Sequence, residues 1–317
     1  MNVSPCPLCH SCDAALVFEA REFVLHRRRY AVNRCRGCAH AFVNPAPDEE
    51  TLEEYYAEAW PLLRDMYPLS PGTPPEAVAE SPTEEMKISF LRSQGLLDHP
   101  GKVLDIGFGS GGFLLNMSRL GWHGVGLEFT NKVDLLFDPG GRFEVIFGPR
   151  ALSEIEPEQF DLITLWHVLE HLTDPVEVLR QARRALRPNG QIVVAIPNAR
   201  GLSARIFGPY WYATAPPWHL QQFGPRSLGL ALSEAGILVK AVQGFDPITT
   251  RLLWVDSVTE LIDAVPAKWY RIALIAGLRV IRKTLALAAP LLLWIERVLG
   301  LPGVIVGVGD KNPLLNT

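Results

Sequence analysis

No cysteine follows residue 38 in this chain of 317 residues, although five precede that point. The larger part of the chain therefore contains no disulfide bond, and cysteines gathered in one stretch indicate a bound metal ion in a reducing compartment. A basic surplus is missing too, since 30 Lys and Arg face 34 Asp and Glu, a formal net charge of −4. That balance argues against a nucleic-acid partner.

Signals for export or for crossing a membrane are also missing. Residues 1–12 have neither the positive region nor the apolar run of a secretory signal. In the Leu-, Ile- and Ala-rich segment 268–301, the longest run without a charge is Thr284–Ile295. A membrane-spanning helix requires ~20 such residues. We therefore expect a cytoplasmic protein.

The cysteines that are present form two Cys-x-x-Cys turns, Cys6 with Cys9 and Cys35 with Cys38. Each turn presents two thiolates, and four thiolates complete the tetrahedral shell that zinc prefers. The residues between the turns are long enough for a hairpin of Leu16–Phe23 with Tyr30–Asn33. The sequence therefore predicts a structural zinc ion. Spare candidate ligands are Cys12, His10 and His40.

The chain divides into three zones. Residues 59–85 carry six prolines, which block both helices and sheet ladders, so we expect a linker between a zinc module at 1–58 and an α/β domain at 86–317. In that domain short apolar runs alternate with helical patterns, as in a parallel sheet with helices on both faces. A helical insertion is predicted at about 250–301. The predicted strands are Val103–Ile106, Gly124–Leu127, Glu144–Phe147, Leu162–Leu165, Gln191–Ile196, Leu238–Gln243 and Val304–Val308.

A glycine-rich turn, Gly107–Gly112, follows the first of these strands. Glycines let the backbone approach a ligand closely, and the free N–H groups of the following helix start then face that ligand. The second strand ends at Glu128, 21 residues after Gly107. A carboxylate there can accept hydrogen bonds from both hydroxyls of a ribose.

Two cofactors fit such a turn. Gly107, Gly109 and Gly112 also match the dinucleotide fingerprint of NAD-dependent oxidoreductases. Asp105, however, lies two residues before the first glycine, and a site for the pyrophosphate of a dinucleotide gains nothing from a carboxylate there. The cationic amino group of S-adenosylmethionine (SAM) would be attracted. The turn therefore favours SAM.

Histidines follow the fourth strand. After Leu162–Leu165 we predict a short helix that carries His167, Glu170 and His171. The two histidines are spaced i, i+4 and so share one face of that helix. Since ligands of open α/β sheets bind beyond the carboxyl ends of the strands, this face is expected to point into the crevice.

Five segments in order, VLDIGFGSG, VGLE, FDLITLWHVLEHLTDP, LRPNG and AIPN, resemble the motifs of class I SAM-dependent methyltransferases over about residues 86–246. The resemblance implies a Rossmann-like sheet, SAM as cofactor and methyl transfer as the activity. The cofactor-site residues that it implies are Asp105, Gly107, Gly109 and Gly111 around the methionine part, Glu128 at the ribose, Phe129 near the adenine, and Phe108 and Trp166 beside them.

The sequence departs from these relatives at two places. After the third strand, many relatives have an acidic residue that meets the adenine amino group, whereas this chain has Phe147-Gly148-Pro149-Arg150. Some quinone O-methyltransferases of the class bind a divalent metal with Glu-x-x-Glu-His. Here the first position is His167, which weakens the case for Mg²⁺, an ion that prefers oxygen ligands.

An acceptor-binding region is predicted at Pro216–Phe223, between the fifth strand and a helix at Ser227–Glu234. This segment is either a loop packed by aromatic residues or part of the acceptor pocket, in which His219 or His167 takes the proton from the acceptor. The candidate catalytic residues are His167, His171 and His219. The aromatic residues nearby are Phe207, Tyr210, Trp211, Tyr212 and Trp218.

The pattern of segment 268–301 predicts a basic amphipathic helix. Five cations fall within roughly 120° of its circumference at 100° per residue. Such a helix suits peripheral contact with an anionic membrane surface. The alternative is a helix pair packed on the domain or in a homodimer. The cations are Lys268, Arg271, Arg279, Arg282 and Lys283.

These features predict a methyltransferase with a structural zinc ion, acting on a small-molecule or lipid-linked glycan acceptor. The segment Cys35–Tyr56 also resembles the zinc module that precedes methyltransferase domains in some sugar and natural-product enzymes. We expect a hydroxyl of a sugar or natural product as the methylated group. Two alternatives stay open: an RNA methyltransferase that uses the zinc module on nucleic acid, and a SAM-binding partner protein without catalysis.

Overall fold

A computed structural model describes residues 4–26, 28–66, 74, 77, 79–129, 141–148, 151–245, 247–265 and 271–311. It begins with a small antiparallel sheet. Strands β1 (Ala14–Arg21) and β2 (Arg29–Cys35) form the predicted hairpin, and β3 (Ala41–Val43) pairs with β2. Both Cys-x-x-Cys turns lie at one end of this sheet.

The predicted linker is partly helical. Helix α1 (Glu49–Met66) continues past residue 58 and includes Pro61, and helix α2 (Pro82–Ser93) begins within the expected linker. Helix α2 starts there because Ser81 caps it, accepting a hydrogen bond from the Glu84 N–H at 3.4 Å, and because proline suits the first helical position. The prolines at 68, 71 and 75 lie outside the described residues. The domain boundaries at 58 and 85 stay predictions.

The main sheet has seven strands in the order β10-β11-β8-β7-β4-β5-β6. All pair in parallel except β11, which is antiparallel to both of its neighbours. The chain runs outward from β4 to β6 on one side and then from β7 on the other, so a crevice lies beyond the carboxyl ends of β4 and β7. The predicted α/β class with a Rossmann-like sheet is confirmed. The strands of the chain from residue 100 onward are β4 (Lys102–Ile106), β5 (His123–Glu128), β6 (Phe143–Phe147), β7 (Phe160–Trp166), β8 (Leu186–Pro197), β9 (Gln221–Gln222), β10 (Ile237–Phe245) and β11 (Val304–Lys311).

Helices cover both faces of this sheet. Alternating strand residues divide the core in two, so that Leu104 and Ile106 pack in one cluster with Leu179, and Val103 packs in the other with Phe113. Asp105 therefore lies on the side of the glycine turn and its helix. The helices are α3 (Gly112–Arg119), α4 (Ala151–Glu154), α5 (Pro175–Ala185), α6 (Leu202–Phe207), α7 (Pro225–Glu234), α8 (Pro247–Asp263) and α9 (Arg271–Leu299).

Strand β9 joins the two parts of the molecule. Although it lies between β8 and β10 in the chain, it pairs antiparallel with β3, which makes the small sheet four-stranded in the order β1-β2-β3-β9. The sequence analysis missed this strand, because two residues carry no detectable alternation of apolar and polar side chains. The predicted zinc module is thus hydrogen-bonded to the segment expected to bind the acceptor.

The predicted helical insertion consists of α8 and α9, which pack against each other. None of the helices in the described ranges has the length and apolar character needed to cross a bilayer. Arg282 lies 3.4 Å from the carboxylate of Asp256 on α8. One of the expected basic residues therefore points toward the neighbouring helix, and Lys268 and the side chain of Arg271 lie outside the described residues.

Candidate active site

The glycine turn has the backbone that a close approach to a ligand requires. Gly107, Gly109 and Gly111 have φ angles of 73°, 55° and 85°, a region that only glycine adopts readily. A Cβ added to Gly109 would meet no described atom within 4 Å, whereas one on Gly107 would lie 2.3 Å from the Val168 side chain. The turn therefore leaves open space beside Gly109 and packs tightly behind Gly107.

Asp105 is buried beneath this turn, with 1% of its surface exposed. The Thr164 hydroxyl on the adjacent strand donates a hydrogen bond to its Oδ1 at 2.6 Å. Burial raises the pKa of Asp105 to about 7, and the Lys87 ammonium and the Thr164 hydroxyl offset only part of that effect. A cationic group from a ligand would stabilise the ionised form.

Glu128 lies at the end of β5, as expected, and next to the turn. Its carboxylate accepts hydrogen bonds from the Gly109 N–H at 3.3 Å and from the Phe129 N–H at 2.9 Å. It therefore lies on the open side of the glycine turn. The structure brings Asp105, Glu128 and the glycines to one end of the crevice, as the sequence predicts.

Two of the predicted aromatic cofactor residues are packed into the protein core. Trp166 is 6% exposed and packs between Phe113 and Phe245, with ring centroids 5.6 Å from each. Phe108 is 5% exposed and packs edge-on against Phe147 at 5.7 Å. Both rings therefore support the site from the protein core and expose little surface of their own to a ligand.

Sequence reasoning missed two charged residues on α2. Lys87 and Glu84 form an ion pair of 2.8 Å with little solvent exposure, and the Lys87 ammonium lies 5.7 Å from the centre of the Trp166 ring. Lys87 is also the charge that most lowers the pKa of Asp105. Their role was difficult to predict from the sequence, because an acid–base pair spaced i, i+3 on a helix ordinarily lies on a solvent-exposed face.

The histidine motif folds differently from the prediction. His167 lies outside any helix with φ at 57°, and only Leu169–His171 forms a single 3₁₀ turn. The expected shared helix face at i, i+4 is therefore wrong. The 3₁₀ turn nevertheless places Glu170 Oε1 3.6 Å from His167 Nδ1, and the His171 ring nitrogen Nε2 3.1 Å from the His167 carbonyl.

His219 joins this group from the Pro216–Phe223 segment, which we call the acceptor segment. Its ring lies 4.7 Å from that of His171. His219 Nδ1 lies 2.7 Å from the Ala213 carbonyl, which can only accept, so Nδ1 carries the hydrogen and Nε2 has the lone pair. Burial lowers the pKa of His219 to about 4, assisted by the nearby His171, so this ring is neutral at pH 7.

Glu170 is the buried charge at the centre of the group, with 2% of its surface exposed. Neither of its oxygens has a hydrogen-bond partner in the described part of the chain. Burial alone would raise its pKa, but the proximity of His167, His171 and His219 outweighs burial and holds the pKa below its usual range. Glu170, His171 and His219 each bring one ligating atom within 4.8 Å of the others, so this set could also hold a metal ion.

The acceptor segment is fixed from two sides. On the side of the methyltransferase sheet, the Leu220 N–H donates to the Glu170 carbonyl at 2.9 Å, and His171 Nδ1 donates to the Trp218 carbonyl at 2.7 Å. On the side of the zinc module, the Val43 N–H donates to the Leu220 carbonyl at 2.9 Å. Aromatic packing adds to these contacts, with Trp218 lying 5.2 Å from Tyr56. The segment is thus held by contacts with both parts of the fold.

One glutamine connects the zinc module to the 3₁₀ turn. His40 Nε2, on the fully buried ring, donates to Gln221 Oε1 at 2.9 Å. The Gln221 amide in turn donates to the Leu172 carbonyl at 2.9 Å. His40, a spare candidate for metal binding, therefore has a different role.

The four predicted zinc ligands come together at the end of the small sheet. Sγ atoms of Cys6 and Cys38 lie 3.6 Å apart, those of Cys9 and Cys35 lie 3.5 Å apart, and all four fall within 4.8 Å of one another. These distances exceed a disulfide bond of about 2.05 Å and suit the edges of a tetrahedron around an ion with metal–sulfur bonds of about 2.3 Å. Cys12 is exposed and outside the cluster.

Comparison with known proteins identifies the family. A family model described as "Methyltransferase domain" matches residues 83–241. This range contains the glycine turn, Glu128, the 3₁₀ turn and the acceptor segment. The chain belongs to this family of class I SAM-dependent methyltransferases. It is therefore a SAM-dependent methyltransferase, and the predictions of family, fold class and SAM as cofactor are confirmed, whereas the zinc ion stays a prediction.

Curated relatives share about half of the chain. It is 30% identical over 162 residues to a "Ubiquinone biosynthesis O-methyltransferase" of Pseudomonas fluorescens strain SBW25, covering 47% of this chain and 70% of that protein. The protein of the same name from Pseudomonas putida strain W619 is 31% identical with the same coverage.

Solved structures share the fold. The [4+2]-cyclase SpnF superimposes with a TM-score of 0.53 at 18% identity, covering 84% of this chain and 98% of that one. A SAM-dependent methyltransferase from Archaeoglobus fulgidus has 22% identity and a TM-score of 0.48, covering 72% of this chain and 94% of that one. The first of these similarities supports the Rossmann-like fold alone.

Proposed function

We propose that this enzyme methylates a hydroxyl group of a small or lipid-linked acceptor, with His167 as the base. The observation that carries the proposal is the contact of His167 Nδ1 with buried, ionised Glu170 at the carboxyl edge of β7. Bound SAM supplies a methyl group on a positively charged sulfur. In this proposal Asp105 receives the amino group of SAM, and Glu128 receives its ribose hydroxyls.

The environment of each histidine favours His167 over the other two. A base works best when its pKa is near the working pH, and His219 has a pKa of about 4. His171 uses Nδ1 for the Trp218 carbonyl. The His167 side chain is 26% exposed, and Glu170 would stabilise the imidazolium that forms when the proton is taken.

Oxygen as the methylated atom is supported by the relatives, which are named O-methyltransferases of ubiquinone biosynthesis. The aromatic residues of the acceptor segment and its neighbours support a ring-shaped acceptor, since Trp218, Tyr56 and Tyr212 lie close to the histidines or to the zinc module. We infer a hydroxyl of a sugar or of a polyketide-type natural product.

The zinc ion is proposed to be structural. Its four thiolates would complete the metal shell and leave no open position for substrate. In this proposal the ion fixes β1–β3 and through them β9, so that it acts on catalysis only by holding the acceptor segment in place.

Methyl transfer from labelled SAM to a panel of phenols and glycans tests the proposal. Replacement of His167 by Ala should lower turnover at least ~100-fold, the low end for loss of a general base, while S-adenosylhomocysteine binds as before. His219→Ala should lower turnover less. The control is His123→Ala, at an exposed position on the amino end of β5. Unchanged turnover in His167→Ala would exclude this residue as the base.

A further inference from the structure

A cavity of about 390 Å³ lies between the zinc module and the methyltransferase sheet, apart from the histidine group. The zinc module lines it with β2 and the turn after it, and the methyltransferase part lines it with the loop after β8 and the start of α7. Four arginines surround the cavity, and none of the described residues that line it is acidic. The arginines are Arg34, Arg200, Arg205 and Arg226.

These arginines have no acidic partners within the part of the chain that the structure describes. None of the four takes part in a salt bridge there, and the buried Nε of Arg34 has no hydrogen-bond partner. Arg205 Nε donates to the Arg200 carbonyl at 3.0 Å, which neutralises no charge. A buried guanidinium nitrogen without an acceptor is costly, so the arrangement is suited to a ligand that supplies acceptors.

The positive charges also act on one another. Burial lowers the pKa of Arg200, and the charges of Arg34 and Arg205 lower it further. Three cations held close together without a carboxylate repel each other, and an anion in the cavity would relieve that repulsion.

The start of helix α7 adds to the positive potential. Gly224, Arg226 and Ser227 at its first turn line the cavity, and helix N-termini favour anions through their free N–H groups and the helix dipole. Gly224 is required there, because a Cβ at this position would lie 2.6 Å from Cγ of Arg200. The glycine therefore lets an arginine side chain lie directly against the helix start.

We propose that this cavity binds a phosphate or diphosphate ester group. Guanidinium groups match phosphate oxygens with paired hydrogen bonds, and the recess has room for a diphosphate with part of its ester. Its relation to catalysis rests on the proposed function: a wall of the cavity includes Gln222 of the acceptor segment and Thr214 just before that segment, so the acceptor would carry the phosphate. A net acidic chain and a recess of this size favour a small ester over a polynucleotide.

Isothermal titration calorimetry on the full-length, zinc-loaded protein tests the proposal. The probes are inorganic phosphate, pyrophosphate, uridine diphosphate and a single-stranded RNA oligonucleotide. We expect pyrophosphate or uridine diphosphate to bind at one site, and Arg34→Gln/Arg200→Gln to weaken that binding at least tenfold. The single variant Arg226→Gln, at an exposed position, should also weaken that binding. Arg92→Gln/Arg119→Gln removes equal charge from exposed positions elsewhere and should have no effect.

The probes separate the sources of the ligand. Tighter binding of uridine diphosphate than of phosphate supports an ester-linked acceptor, and equal binding supports a site for free phosphate. Absence of binding by the wild-type chain, an equal loss in the control variant, or preferred binding of RNA would overturn the proposal. His167→Ala should bind pyrophosphate like the wild type, so that failure of the proposed base leaves this result intact.

Discussion

Asp105 shows how a single buried carboxylate prepares a site for a cation. It is shielded from water and has one neutral hydrogen-bond donor, Thr164, so that its charged form is only half populated near neutral pH. The nearby Lys87 is occupied by Glu84. The ammonium group of a ligand bound here would therefore stabilise the Asp105 carboxylate in place of the water that burial excludes.

Cofactor affinity should depend on pH through Asp105. With a pKa of about 7, the carboxyl is mostly ionised at pH 8 and mostly protonated at pH 6. Its attraction for the amino group is therefore lost as the pH falls, and S-adenosylhomocysteine should bind up to about tenfold more weakly at pH 6 than at pH 8. Calorimetric titration at both values measures this. Asp105→Asn should bind weakly at both, and a wild-type affinity that does not change with pH contradicts the assignment.

Glu170 should be needed for turnover but not for cofactor binding. Glu170→Gln keeps the shape and removes the charge that faces the histidines, so the imidazolium formed during proton transfer would lose its stabilisation. We expect turnover to fall by about 10- to 100-fold, with unchanged affinity for S-adenosylhomocysteine. Glu177→Gln on the exposed surface of α5 is the matched control. Equal activity of the two variants would show that Glu170 has only a structural role.

At the scale of elements, the contact of β9 with β3 makes the acceptor segment part of the small sheet. The Gln221 side chain serves both His40 and Leu172. The amide therefore connects the ring just before β3 to the loop just after the 3₁₀ turn.

Gln221→Ala should disturb both parts of the molecule together. It leaves the His40 ring and the Leu172 carbonyl without their partner, at a cost of about 1–3 kcal/mol for each buried group left unpaired. We expect a lower melting temperature and reduced turnover with normal binding of S-adenosylhomocysteine. Gln191→Ala, which removes one hydrogen bond to Asp310 in the main sheet, should lower stability without a comparable loss of turnover. If both variants lose turnover equally, the coupling does not exist.

Helix α9 has two apolar faces. Ala289 is buried against the rest of the protein, whereas Val280, Leu287, Leu291, Trp294 and Val298 are exposed at spacings of seven, four, three and four residues. Such spacing forms a continuous stripe along a helix. This stripe lies opposite the buried face and beside the basic residues Arg279 and Lys283. Contact with an anionic membrane surface and association into a homodimer both stay predictions.

Vesicle co-sedimentation separates these two possibilities. If α9 binds membranes, the wild type should sediment with anionic vesicles at low salt, and Leu287→Ser/Trp294→Ser should remain in the supernatant. If the stripe joins two chains, the same variant should change the mass measured by sedimentation equilibrium, without any effect of vesicles. Leu238→Ser, an exposed apolar residue on β10, is the control in both measurements.

Structural elements that are determined by nearby residues in the chain could be predicted from the sequence. Strand Val103–Ile106, the turn Gly107–Gly112 and the acid at Glu128 follow from patterns within about 25 residues, and the structure places them as expected. Features that depend on distant contacts could not be predicted in this way. The left-handed backbone of His167 is set by packing after β7, and the position of Lys87 beside Asp105 depends on how α2 docks.

At the scale of the whole molecule, the segments proposed to bind the cofactor and the acceptor are positioned by different parts of the fold. The glycine turn belongs to the main sheet alone, whereas the acceptor segment is fixed in part by the zinc module through Phe23 and Val43. Loss of metal should therefore affect the two ligands differently.

Removal of zinc should abolish turnover and spare cofactor binding. Cys35→Ser removes one of the four thiolates, which should release β1–β3 and with them the acceptor segment, since such modules depend on their metal for folding. We expect metal content near zero, turnover reduced at least ~100-fold and affinity for S-adenosylhomocysteine within a few-fold of the wild type. Cys12→Ser, outside the cluster, should behave like the wild type. Full turnover by metal-free protein would refute this role.

The pairing of β3 with β9 also limits how such enzymes can be recombined. Residues 14–43 and 221–222 are far apart in the chain but complete one sheet. A chimaera that exchanges the N-terminal module between relatives would therefore need to exchange the acceptor segment as well. We therefore expect a new acceptor preference to require matched changes in residues 14–43 and in the acceptor segment.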